Sequence, residues 1–310
     1  MDELKSAVDA FCAYLSGERF CSTMTVISYK RALEKAVAAL HSEFPDITSW
    51  KDVGERQMRV IARELNFGAE AKELSSATVA HDLYVLNSFL SYMVMKGRLP
   101  VSPKDAVKAP RVKRPLPRVL TMSEVEELLS VKPRTDLEVR DLAIAELFFS
   151  SGLRLSELIG LDLDDYSAID REVRVRRGKG GKDRVVPVGS RAIAGLGSYL
   201  AIRDKFKPSD KALFLSRMGK RLTGRAVEQN LKKLAGRAGL NANVFPHKLR
   251  HSFATQLVEH GADLRSVQEM LGHASLAATE IYTNLDFEHL KKVYERSHPR
   301  AKRKEGEDQD

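Results

Sequence analysis

Cysteine is scarce in this chain: Cys12 and Cys21 are the only two among 310 residues. Two are too few for a disulfide framework or a four-cysteine zinc site, and they point to a reducing compartment. Long apolar runs are missing as well. No stretch approaches the roughly 20 residues that span a bilayer, and the opening MDELKSAVDA is too acidic and polar for a signal peptide, so a cytoplasmic protein without membrane contact is expected. Acid is the minority charge. The 42 Asp and Glu stand against 51 Lys and Arg, for a net charge of +9 and an isoelectric point near 9.4. That balance favours a polyanionic partner, nucleic acid above all. The length predicts two domains, each large enough to bury its own core.

What is present is first of all helical periodicity. Leu4, Val8, Phe11 and Leu15 share a face, as do Val26, Leu33, Val37 and Leu40, then Val79, Leu83, Leu86, Leu90 and Met93, before Gly97 and Pro100 close the run. The stripes predict a small helical domain over residues 1–106. Residues 107–120, VKAPRVKRPLPRVL, contain no acid but three prolines and five cations: Lys108, Arg111, Lys113, Arg114 and Arg118. This composition predicts an extended linker, either a solvated spacer or a strap along phosphates.

A second domain, 121–298, opens on the capping-box pair Thr121 and Glu124, with helices through about Ile159. There the period changes. Val173 and Val175 alternate with polar residues, Gly178 to Gly181 is turn-like, and Arg184 to Val188 resumes an apolar strand, which predicts a β-hairpin with Lys179 at or beside its turn. Helices are predicted again near 190–206, 223–238, 247–260 and 263–271. In the second of these, Val227, Leu231 and Leu234 can face a core while Arg225, Gln229, Lys232 and Lys233 lie on other faces, either to read base edges and phosphates or simply solvated. The ending 299–310, PRAKRKEGEDQD, reads as a charged, disordered tail. The fold class is mainly α with a small β-sheet.

The chemistry-bearing residues form a set. His247 and Arg250 lie in HKLRH, His273 in LGH, Tyr282 in EIYTNLDF, Arg154 in SGLRLSEL and Lys179 in GKGGK. Cations and proton donors around one phenol suit a phosphodiester, whose cleavage without water needs a nucleophile, charge stabilisation and an acid for the leaving alkoxide. Holding a phenol of pKa near 10 ionised at neutrality costs about 4 kcal/mol unless cations assist. Arginines bind phosphate oxygens through a planar fork and never deprotonate. Each member has a plainer reading: Tyr282 beside Ile281 and Leu285 as core, GKGGK as a basic loop without P-loop spacing. Zinc on His247, His251 and His273 is a further alternative, opposed by Lys248 and Arg250 and by the lack of the HExxH glutamate.

Taken together, these residues and their surroundings resemble the tyrosine recombinase (phage integrase) family, in its bacterial XerC/XerD group of chromosome-dimer resolvases. The resemblance runs from YLSGERFCSTMTVISYKRAL through SGLRLSELIGLDL, GKGGKDRVVPVG, LFLSRMGKRLT and PHKLRHSFATQLVEHGADLRSVQEMLGHASLAATEIYT to VYERSHPRAKR, with LDFEHLKKVY on the XerC side of the group. It implies a SAM-like core-binding domain and an α/β catalytic domain forming a C-shaped clamp on DNA. It further implies that Tyr282 attacks the scissile phosphate, bonding to the 3′ phosphate and freeing a 5′ hydroxyl. Arg154 and Arg250 would clamp the phosphate, with His247 assisting proton transfer and His273 adding a contact. Lys179 would be the general acid, and Glu157 would buttress Arg154.

Neither metal nor ATP nor another cofactor is implied. The implied partners are double-stranded DNA with a dif-like site, a XerD-like recombinase in a heterotetramer whose protomers lend C-terminal segments to neighbours, and a FtsK-like DNA translocase. A phage or integron integrase and a non-cutting DNA-binding protein are the alternatives on the same scaffold. LAATEIYT and FGAEAKEL depart from the family's usual pattern.

Overall fold

The structure, a computed structural model, describes residues 3–67, 73–110, 119–176, 183–240, 244–272 and 284–301. The chain divides into two compact units, Met1–Leu116 and Pro117–Asp310.

Among the described residues the first unit holds four α-helices: α1 (Glu3–Gly17), α2 (Thr23–Glu43), α3 (Glu55–Glu64) and α4 (Ser76–Met95). Ser22 and Ser75 start α2 and α4 by accepting the N–H groups of Thr25 and Thr78. The predicted stripes are the core: Leu4, Phe11, Leu33, Leu40, Leu83 and Leu90 are buried, whereas Val26 only borders it. Trp50 joins them, its indole N–H donating to the Leu4 carbonyl at 3.1 Å. Helix α3, which the stripes do not announce, adds Met58 and Ile61 from a largely charged sequence.

In the second unit the Thr121–Glu124 capping box forms in both directions and opens α5 (Met122–Leu129). Helix α6 (Asp136–Ser151) is buried on all sides over its last turns and packs against α8 (Ser190–Leu200), α9 (Gly224–Arg237) and α10 (Pro246–Glu259). It stops at Gly152, whose φ of +59° makes a left-handed cap. A short α7 (Leu155–Gly160) leads to a three-stranded antiparallel sheet in the order β1 (Tyr166–Ser167), β2 (Glu172–Val175), β3 (Arg184–Pro187). The predicted hairpin is β2–β3, with Val173 opposite Val186 and Val175 opposite Arg184. Strand β1 is two residues long and leaves no readable alternation. The helix predicted to reach 206 is α8 followed by a separate turn of 3-10 helix at Arg203–Phe206. Helices α11 (Leu264–Leu271) and α12 (Asn284–Ser297) complete the unit.

Two boundaries differ from the sequence reading. Leu120, placed at the end of the linker, belongs to the second core: it is buried and its N–H donates to Ser252 Oγ at 2.9 Å. Residues 299–301, assigned to the tail, are packed instead. Arg300 pairs with buried Glu146, and the Ala301 carbonyl accepts from Ser190 N at 3.1 Å and Arg171 Nη2 at 2.8 Å. A charged sequence hides this because its partners lie more than a hundred residues away. Together with α12 this ending packs on its own unit, where Tyr294 bonds Ser150 Oγ at 2.7 Å and His298 Nε2 donates to the Phe149 carbonyl at 3.1 Å. No helix among the described residues is long and apolar enough to cross a membrane.

Candidate active site

The C-cap of α6 places the first cation. After Gly152 and buried Leu153 the chain turns outward at Arg154, the N-cap residue of α7, and Glu157 three residues on reaches back to it. The Glu157 carboxylate accepts from the Arg154 N–H at 2.7 Å and from its Nη1 at 2.8 Å. Arg154 Nη2 donates to the Gly272 carbonyl at 3.0 Å, leaving the guanidinium partly exposed.

The second cation comes from α10, begun by Pro246 at a position where a missing N–H costs nothing. Arg250 is buried, donating to the Gly152 carbonyl at 2.6 Å and the Leu271 carbonyl at 2.7 Å. Its Nη1 lies 3.9 Å from Glu157. His247, three residues earlier on the same helix, is exposed. Leu153, Arg154, Pro246, His247 and Arg250 line one cleft of about 470 Å³, with Glu228 of α9 on its wall. Arg154 thus meets His247 and Arg250, some ninety residues further along the chain.

A third guanidinium, Arg184 of β3, is not in that set. It is buried and grips both Glu157 oxygens, Nη1 to Oε1 at 2.9 Å and Nη2 to Oε2 at 2.8 Å, while Nε donates to the Met270 carbonyl at 3.2 Å. The readable signal was an arginine at an inward position of an otherwise apolar strand, which demands a buried acid.

Among the described residues, three arginines around one carboxylate leave two positive charges in excess. Burial would raise the Glu157 carboxyl, but hydrogen bonds and charge from Arg184, then bonds from Arg154, outweigh it and hold the group at about 2. Burial, then the neighbouring Arg154 charge, lowers Arg250 from 12.5 to about 10, with Glu157 opposing. Arg250 therefore stays cationic at neutral pH, and the cleft is built for an anion with several oxygens, such as a phosphate.

The remaining candidates fall in two groups. Lys179, His273, Tyr282, Arg111, Lys113, Arg114 and Arg118 lie outside the described residues. Lys108 is exposed, and on α9 Val227, Leu231 and Leu234 are buried while Arg225, Gln229, Lys232 and Lys233 are exposed.

Residues 118–289 match the phage integrase family and residues 8–97 the phage integrase N-terminal SAM-like domain. The tyrosine recombinase XerC of Haemophilus influenzae is 43% identical over 299 residues, covering 96% of this chain and 99% of its own. The one from Actinobacillus pleuropneumoniae is 42% identical over 295 residues, covering 95% and 94%. Among solved structures, the XerH site-specific recombinase bound to a palindromic difH substrate superposes with a TM-score of 0.65 over 94% of this chain and 84% of that one, at 24% identity, a likeness of fold. The chain belongs to the phage integrase family, as a tyrosine recombinase with XerC relatives along nearly its whole length.

Proposed function

We propose that this recombinase resolves chromosome dimers at a dif-like site together with a XerD-like partner, through a 3′-phosphotyrosyl intermediate. The convergence of Arg154, Arg250 and His247 on one cleft carries this reading. The two arginines would hold the non-bridging oxygens of the scissile phosphate, stabilising charge that develops during attack. Tyr282 Oη would form the bond to phosphorus as the bond to the 5′ oxygen breaks. Lys179 would protonate that oxygen, and His247 would take the phenol proton, with His273 as a further phosphate contact. Because the phosphotyrosyl ester conserves the energy of the broken bond, a 5′ hydroxyl of another strand can reverse the step. Lys108, Arg111, Lys113, Arg114 and Arg118 would lie along the DNA backbone, and Arg225, Gln229, Lys232 and Lys233 would face a groove. Action in the cytoplasm, in a heterotetramer activated by a FtsK-like translocase, belongs to the same proposal.

A nicked suicide duplex tests the chemistry. The unaltered chain should accumulate a covalent protein–DNA adduct, and Tyr282→Phe should bind the duplex yet form none. An adduct with the Phe variant would mean another nucleophile, and binding without any adduct from the unaltered chain would leave a DNA-binding protein that does not cut.

A further inference from the structure

Three successive carbonyls end α11, and each accepts from a different arginine: Met270 from Arg184, Leu271 from Arg250, Gly272 from Arg154. The same three guanidinia surround Glu157. Arg154 and Arg250 face the cleft, whereas Arg184 turns all three of its donor nitrogens to protein acceptors and is buried. We propose that Arg184 is a positioning residue for phosphate transfer, pinning the Glu157 carboxylate and the α11 terminus so that Arg154 and Arg250 present free N–H groups to the phosphate.

The physical reason is competition. A carboxylate beside an arginine prefers a two-bonded fork, and Glu157 is already within 2.8 Å of Arg154 and 3.9 Å of Arg250. Arg184 occupies one site on each carboxylate oxygen from the β3 side. Without it, Glu157 is free to close a fork on a cleft arginine and take the donors that a phosphate needs. The α11 terminus would move as well, because Gly272 packs directly on Arg184: a Cβ there would lie 3.0 Å from its Cζ and Nη1, and the residue has φ of +66°. His273, the next residue, follows that terminus in sequence.

The inference rests on the recombinase reading. Its test uses the full chain and a fluorescent nicked suicide duplex bearing the sequence recovered from DNA trapped on the protein in cells. Arg184→Gln should bind the duplex within about threefold of the unaltered chain yet form adduct roughly 30-fold more slowly, the size expected for a lost charged hydrogen bond. Arg184→Lys should recover part of the rate, since an ammonium supplies charge but cannot span two oxygens and a carbonyl. In a Glu157→Gln background Arg184→Gln should slow the reaction by no more than about threefold further, because the two act as one unit.

Adduct formation by Arg184→Gln at the unaltered rate overturns the assignment, as does a full multiplicative loss in the double variant. Binding, melting temperature and rate falling in parallel would mark a merely structural role and also overturn it. Should Arg184→Gln fail to fold, Arg184→Lys decides: a rate at least about tenfold down with binding kept supports the assignment, and an unaltered rate overturns it. No adduct even from the unaltered chain brings down the recombinase reading itself.

Discussion

Glycines at the arginine cleft are as constrained as the arginines. Gly152 combines a φ of +59° with a packed neighbour, since a Cβ would sit 2.4 Å from Phe253 Cδ1, and its carbonyl holds Arg250. Gly152→Ala should lower stability by about 1–3 kcal/mol, from left-handed strain and overpacking together, and shift Arg250. Urea unfolding of the variant checks the first, and an unchanged midpoint would show that neither the left-handed backbone nor Phe253 opposes a Cβ there. Lys179 invites a chemical test: its proposed acid role predicts that Lys179→Ala slows cleavage, with recovery on a 5′ phosphorothiolate duplex, whose thiolate leaves without a proton. A variant equally slow on both duplexes would remove Lys179 from that role.

The C-terminal element owes its place to one small residue. Gly189, the N-cap of α8, faces the Arg300 carbonyl and the Tyr294 hydroxyl, which a Cβ would approach to 2.6 and 2.7 Å. Burial raises the Tyr294 phenol well above its usual 10, so it stays protonated and bonded to Ser150. Gly189→Ala should therefore loosen residues 284–301 while leaving α6 intact, read as faster amide hydrogen exchange confined to α12. Unchanged exchange there would mean that the segment is held chiefly by the Arg300–Glu146 pair.

One part of the stability that acid removes belongs to a buried histidine. Burial foremost, then nearby positive charge on Arg300, depresses His298 from 6.5 to about 3 despite its bond to Phe149. Its Nδ1 accepts the Arg300 N–H at 3.2 Å, so the neutral ring carries its proton on Nε2. Because the folded pKa lies below the unfolded one, the unfolded chain takes up the proton first. The stability is intact above pH 6.5 and is lost as pH falls toward 3, at up to about 1.4 kcal/mol per unit. The unfolding free energy of His298→Gln should fall less steeply between pH 6.5 and 5, and an identical slope would assign the acid loss to other groups. Glu157 acts in a lower window, its contribution full above 4.5 and lost as pH falls toward about 2.

The amino-acid sequence alone determined the helical stripes, the β2–β3 hairpin and which side-chain types the candidate set contains, because apolar period and side-chain type are local properties. Helix α3 and strand β1 escaped it, one too charged and the other too short to show a period. Only the tertiary structure decided that Arg154, His247 and Arg250 share a cleft, that Arg184 joins them, and that residues 299–301 are anchored. The partners that settle these questions are backbone carbonyls such as Met270, Leu271, Gly272 and Ala301. Every residue owns a carbonyl, so nothing in a side-chain alphabet marks which ones a distant arginine will find.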